Sequence, residues 1–415
     1  MRGRRGWAAG ALACAGAAAL VAALATQAVG APAAARPTPG DRADASAYDP
    51  YFSQQWALTA IGAPTAWARS TGTGVKVGVV DTGVDLRHED LAGKVVASVD
   101  CLGASQPADC GGSGQDDNGH GTSVAGIIAA ATSNGRGVAG VAPGAVLVVA
   151  KALDARGSGT VGDVAAGVRW VVDHGARVVN LSVEADGTMV AGAPGPSLAE
   201  AVEYAWHHGA VPVVAAGNAT PSVFGARGYA GLDAVIVGAT GRTGRVAWYS
   251  GPLLGAKWGV VAPGGDARGP AGTASCAGAL AAGCVVSTGW LPGRSNAYVV
   301  DEGTSMAAPA VSGVLALLMA RGFSAPAAVA RLMQTTDPIA CGGGCAGAVD
   351  AARALGVRAS APTLGPAAVA TARITAGAHS GFPRWRTEVG LSLLVALAVA
   401  WLTSGAGQSR PSRKW

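Results

Sequence analysis

Val75-Lys76-Val77-Gly78-Val79-Val80-Asp81-Thr82-Gly83 is the stretch on which the reading of this sequence turns. Its apolar part is too short for a stable helix and is rich in β-branched side chains, so it reads as a buried strand. The run stops on a carboxylate followed by a glycine. In a sheet of parallel strands the carboxyl ends open into the crevice where ligands bind, so an acid at that point is a candidate for chemistry.

Working outward, further apolar runs at 145–150, 176–182, 211–215 and 234–239 read as strands. Between and after them, 121–131, 161–174, 197–208, 305–320 and 326–335 read as helices. Strands alternating with helices imply an α/β fold with a mainly parallel sheet covered on both faces. Two more polar residues then stand at element starts. His120 precedes a helix in Asn118-Gly119-His120-Gly121-Thr122-Ser123-Val124-Ala125-Gly126, and Ser305 opens one in Gly303-Thr304-Ser305-Met306-Ala307-Ala308-Pro309. A serine hydroxyl is a poor nucleophile near neutral pH. It needs an imidazole to take its proton and a carboxylate to hold that imidazole in one tautomer. Singly, these three residues also read as a turn acid, a structural histidine and a helix cap; in one chain and in this context they form a catalytic set.

The three segments resemble the signatures of the subtilisin-like serine proteases, the subtilases, over about 49–355, and their chain order Asp, His, Ser is that of subtilisin. The resemblance implies a three-layer sandwich around a mainly parallel sheet. It implies peptide-bond hydrolysis through an acyl-enzyme, with Asp81, His120 and Ser305 as the triad and no cofactor required for the chemistry. In Val213-Val214-Ala215-Ala216-Gly217-Asn218 it makes Asn218 an oxyanion-hole donor, beside the Ser305 backbone N–H. The substrate-binding strand would be Ser182-Val183-Glu184, where Glu184 replaces a glycine usual in the family. A structural calcium is implied at Asp90, nine residues after Asp81, with Asn134 and Asp49 as further oxygen donors. An α/β-hydrolase esterase is excluded, because no Gly-x-Ser-x-Gly surrounds Ser305.

The ends speak of export and a membrane. Residues 1–31 have an arginine-bearing start, an apolar run and small residues at the end, as in a secretory signal peptide. A short extension follows at 32–48, too brief for the long folding propeptide of most secreted subtilases. After the peptidase domain at 49–355 comes an Ala/Pro/Gly/Thr-rich linker at 356–386, then an expected transmembrane helix at 387–409 and a basic tail at 410–415. The rival for 387–409 is a helix packed on the domain; the basic tail favours a span with a cytoplasmic C-terminus. The formal net charge of +5 is carried by basic residues at the two ends, and the body is near neutral, so no nucleic-acid surface is implied.

Seven cysteines become six once 1–31 is removed, an even count that in an exported chain reads as disulfides. Cys101/Cys110, Cys276/Cys284 and Cys341/Cys345 are the simplest pairing. A zinc site is disfavoured by irregular spacing and the lack of a neighbouring histidine. The anchor, the cysteines and the short extension together resemble the mycosins, the membrane-anchored subtilases of actinobacterial type VII secretion systems. That resemblance implies protein or peptide substrates, secretion-system partners, and a catalytic domain facing outward from a single-pass anchor in the cell membrane. A rival reading makes the chain a scaffold or processing subunit of such a complex, with proteolysis secondary.

Overall fold

Valine dominates the strands because both faces of the sheet are covered, and the strand alternation sorts the valines to opposite faces. In the computed structural model, which describes residues 49–183, 197–218, 231–267, 276, 282–357 and 375–376, the elements run as follows. Short helices α1 (Trp56–Ala60) and α2 (Ala63–Ala66) lead into β1 (Lys76–Asp81) and β2 (Val95–Asp100). Then come α3 (His120–Ala129), β3 (Val146–Lys151), α4 (Val161–Asp173), β4 (Val178–Leu181), α5 (Leu198–His207), β5 (Val211–Ala215), β6 (Val235–Thr240) and β7 (Trp258–Pro263). The chain continues through β8 (Val285–Leu291), β9 (Arg294–Asp301), α6 (Thr304–Met319), α7 (Ala325–Gln334), β10 (Cys345–Ala348), α8 (Ala351–Ala354) and β11 (Thr375–Ala376).

Eight strands form one sheet in the order β10-β7-β6-β5-β4-β1-β3-β2, and every pairing in it is parallel. Val77, Val79, Val213 and Val237 point to the face that packs on α3 and α6, whereas Val80, Val148, Val179 and Val214 point to the face under α4 and α5. This is the expected three-layer α/β sandwich. Chain direction diverges at β1, with β3 and β2 on one side and β4 to β7 on the other. The crevice of an open α/β sheet lies at such a switch point, and Asp81 ends the strand that occupies it.

Beyond the main sheet, β8 and β9 form an antiparallel hairpin that packs on α3, joined by Pro292-Gly293 with Gly293 at φ 70°. Within the stretch expected as a linker, Thr375–Ala376 pairs parallel with β9. All three expected disulfides form: Cys101–Cys110, Cys276–Cys284 and Cys341–Cys345. Among the described residues no helix is long and apolar enough to cross a membrane; the expected span at 387–409, the signal peptide, the extension and the basic tail lie outside them.

Candidate active site

Asp81 is carried in by β1, and its side chain is fully buried. Its Oδ1 accepts the backbone N–H of Thr82 at 2.7 Å and faces His120 Nδ1 at 2.8 Å. The imidazole stands at the first residue of α3. Helix and strand end can meet this closely only because residue 121 is glycine. A Cβ there would lie 2.0 Å from the Gly83 carbonyl oxygen and 3.1 Å from Asp81 Oδ1. With Nδ1–H given to the carboxylate, a neutral ring keeps its lone pair on Nε2, the atom a general base uses.

Burial pushes the His120 pKa down, but the charge of Asp81 and its hydrogen bond outweigh this. With Asp301 and Asp116 adding to the effect, the ring is raised to about 9. Asp301 is the last residue of β9, and burial raises its carboxyl to about 7, against the opposing pull of His120.

Ser305 is the second residue of α6 and is 8% exposed. The starts of α3 and α6 abut, since Ser123 Oγ donates to Met306 Sδ at 3.5 Å. His120 and Ser305 thereby stand at the starts of two abutting helices. Among the described residues no hydrogen bond joins the ring to Ser305 Oγ; such links commonly tighten when substrate is bound. Gly303 supplies the floor, at φ 154°. A Cβ on it would sit 2.9 Å from Ser305 Oγ and 3.3 Å from Asn218 Nδ2, so hydroxyl and amide gather on the same bare backbone. The Asn218 amide has its orientation fixed by Thr304, whose N–H and Oγ1–H both donate to Asn218 Oδ1, at 2.9 Å and 3.2 Å. Its Nδ2 is the end that faces Gly303.

The subtilase family (peptidase S8) matches residues 72–363. This chain belongs to the subtilases. Thermitase of Thermoactinomyces vulgaris is 37% identical over 295 residues, spanning 70% of this chain and 91% of thermitase. Subtilisin Savinase of Lederbergia lenta is 39% identical over 270 residues, or 64% of this chain and 84% of Savinase. Among solved structures, a protease of Pseudoalteromonas arctica aligns with a TM-score of 0.60 at 30% identity, covering 74% of this chain and 98% of that one. The subtilase is therefore a serine-type endopeptidase.

The expected substrate strand is more deeply built in than its sequence suggests. Ser182 is 3% exposed, and its hydroxyl donates to the Ser305 carbonyl oxygen at 2.9 Å while accepting from Asn180 Nδ2. Val183 is 5% exposed. The Ser182 side chain thus sits beneath Ser305 and that of Val183 joins the core on the α4 and α5 face, so both side chains serve the fold. Glu184 lies outside the described residues.

The three candidate calcium ligands do come together from distant parts of the subtilase chain. Asp49 accepts from Ser133 N–H at 2.7 Å, Asn134 N–H at 3.1 Å and Thr132 Oγ1 at 3.1 Å. Asp90 accepts from Val138 N–H at 2.8 Å and Asn134 Nδ2 at 2.7 Å. Two carboxylates are thus buried side by side. Asp90 is lifted to about 6 by its burial and, after opposing hydrogen bonds, by the charges of Asp49 and Glu89. A set of hard oxygens with surplus buried negative charge fits calcium. The Asn134 amide would have to present its oxygen, instead of its N–H₂, to join such a set.

Two residues at the site escaped the sequence reading. Thr304 looked like a helix-cap residue within the serine motif, and its hold on Asn218 crosses 86 positions of chain that no local pattern reports. Asp301 had a local signal, an acid four residues before the serine, but nothing in the sequence shows that its strand returns beside His120.

Proposed function

We propose that Asp81, His120 and Ser305 are the catalytic triad of this endopeptidase and that Asn218 is its oxyanion donor. In this mechanism Ser305 Oγ attacks the scissile carbonyl while His120 Nε2 takes the hydroxyl proton. Asp81 holds Nδ1–H and offsets the charge of the imidazolium. The tetrahedral oxyanion is held between Asn218 Nδ2 and the Ser305 backbone N–H, at the start of α6, where the helix dipole also favours negative charge. Collapse expels the amine with the proton from His120, and water repeats the cycle on the acyl-enzyme. No cofactor takes part in these steps. The observation that carries the reading is the 2.8 Å contact of His120 Nδ1 with Asp81 Oδ1, at a helix start that abuts the start of α6.

The substrate would lie along the main chain of 182–184, where Glu184 in place of the family's glycine would either favour a basic side chain before the cleaved bond or partly block that pocket. Asp49, Asp90 and Asn134 would hold a structural calcium that ties the N-terminal segment to the 131–138 loop.

For the whole chain the reading is a peptidase domain at 49–355, exported by 1–31, preceded by an extension at 32–48 and carried on 356–386. It would be held at the cell membrane by 387–409, with 410–415 in the cytoplasm. Absence of charge from 389 to 409 and the basic residues after it support the anchor. The combination of anchor, disulfides and short extension supports a mycosin-like place beside a type VII secretion system, acting on protein or peptide substrates there.

Labelling with a serine-directed fluorophosphonate tests the site. Full-length protein should label in wild type, and Ser305→Ala and His120→Ala should not. Folded wild-type protein that fails to label would instead favour the scaffold reading. Alkaline-carbonate extraction of membranes, with and without 387–415, tests the anchor.

A further inference from the structure

Asp116 lies four residues before His120, is 1% exposed, and is used by none of the steps above. Its carboxylate accepts five hydrogen bonds. Oδ1 takes Thr82 Oγ1–H at 2.9 Å, Asn118 N–H at 3.0 Å and Gly119 N–H at 3.0 Å. Oδ2 takes Thr122 N–H at 3.0 Å and Thr122 Oγ1–H at 2.5 Å. These donors come from two places that must be brought into register for the proposed triad. Thr82 directly follows Asp81, whereas Asn118, Gly119 and Thr122 bracket His120. The bridge is completed by Gly121 N–H, which donates to Thr82 Oγ1 at 2.9 Å.

A second grip acts on the same residue from the other side. Lys151, at the end of β3 and 4% exposed, donates to the Thr82 carbonyl oxygen at 2.9 Å, to Leu153 O at 2.8 Å and to Asp117 Oδ1 at 2.7 Å. Thr82 is thus held by its hydroxyl toward Asp116 and by its carbonyl toward Lys151. The 2.8 Å spacing between Asp81 and His120 is set where these grips meet.

We propose that Asp116 is a positioning residue for catalysis, an ionised carboxylate that locks the end of β1 onto the start of α3 and supports the imidazolium from beneath. The proposal rests on the triad reading above. Five charge-assisted bonds hold a carboxylate in its ionised form, against the burial that raises its pKa. Three carboxylates act on the ring: Asp81 from β1, Asp301 from β9 and Asp116 from the loop before α3. Asp116 differs from the other two in also fixing the backbone on both sides of the site. An asparagine of the same shape would keep one acceptor oxygen but turn an N–H₂ toward donors, losing both bonds and charge.

Full-length wild type, Asp116→Asn and Thr82→Val should be compared by active-site titration, steady-state peptide hydrolysis from pH 6 to 11 and thermal melting. Titration normalises each rate to correctly folded enzyme. In Asp116→Asn, kcat should fall about 10- to 100-fold with KM within about twofold, the scale of a sub-ångström misplacement, and the acid limb of kcat/KM should move to lower pH. Thr82→Val removes the bridge but keeps the Asp116 charge, so its kcat should fall without movement of the limb. Equal kcat per titrated site in wild type and both variants overturns the proposal. So does a limb that stays in place in Asp116→Asn. A wild type that cannot be titrated would instead overturn the triad reading itself, so the two failures are distinguishable.

Discussion

Asp81 and Asp90 stand nine residues apart, both with fully buried side chains, and they serve opposite ends. Asp81 faces a titratable ring across 2.8 Å, and among the described residues its other oxygen has no donor, so its charge acts on the imidazole. The Asp90 carboxylate accepts from the amide donors Val138 N–H and Asn134 Nδ2, and its charge is set against a second buried carboxylate. Burial is the same in both; the partner decides whether a buried acid acts on a titratable ring or ties down a loop. The contrast predicts that changes at the two positions separate cleanly into rate and stability.

The largest effect belongs to Asp81→Asn. It keeps the shape of the side chain but no longer selects the Nδ1–H tautomer, so kcat should fall about 10⁴-fold. The melting temperature should move by no more than a few degrees. An equal loss of rate and of folded protein would erase the contrast, and parallel kinetic and calorimetric measurements would show it.

Asn218→Ala comes next. With Thr304 holding the amide in one orientation, loss of the amide should cost about 10²–10³ in kcat with little change in KM, the scale of one oxyanion donor. Thr304→Val should reproduce part of that loss, because it removes one of the two donors that set the amide's orientation. If Thr304→Val cost nothing, the orientation argument would fail even though the donor role stood.

At the other cluster, Asp90→Asn should leave kcat within about twofold but lower stability by about 1–3 kcal/mol, from buried donors left without a full acceptor. Chelation of the wild type with EDTA should lower the melting temperature by several degrees, and the same treatment of Asp90→Asn should have little effect. A melting curve indifferent to chelator would mean that the N–H donors seen around Asp49 and Asp90 hold the loop alone.

The same two positions show what a sequence can disclose. The strand before Asp81 and the helices opened by His120 and Ser305 were legible because each is a local pattern: a β-branched run, a run of small apolar residues, a cap. The starts of α3 and α6 came out one residue late, since His120 and Thr304 already have helical backbone while their side chains serve other partners. The β8–β9 hairpin was missed although Pro292-Gly293 is a turn signal, because the glycines around it mask the alternation. What stayed hidden is contact at long range. The fold buries the hydroxyl of Ser182 beneath Ser305, brings Asp301 to the imidazole and gathers Asp116 with Thr82, and none of these meetings leaves a trace in spacing.

The smallest expected effect is also the one that reads the Asp81 side of the contrast most directly. His120 is raised from 6.5 to about 9 in the folded protein. Only the neutral ring can accept the serine proton, so kcat/KM should climb about tenfold per pH unit on the acid side and level off near pH 9. The same shift acts on folding with a definite sign. A base whose pKa is higher folded than unfolded stabilises the fold fully below 6.5, and that stabilisation is lost as pH rises through about 9. Asp301, raised to about 7 beside the same ring, adds a loss of its own that begins at lower pH, from about 3.8. Between pH 6.5 and 9 the melting temperature of wild type should therefore fall by more than that of His120→Ala, and the difference between the two curves reports the ring together with its pull on Asp301. Identical curves would mean that Asp81 and His120 meet without exchanging charge, and the distinction from Asp90 would then rest on geometry alone.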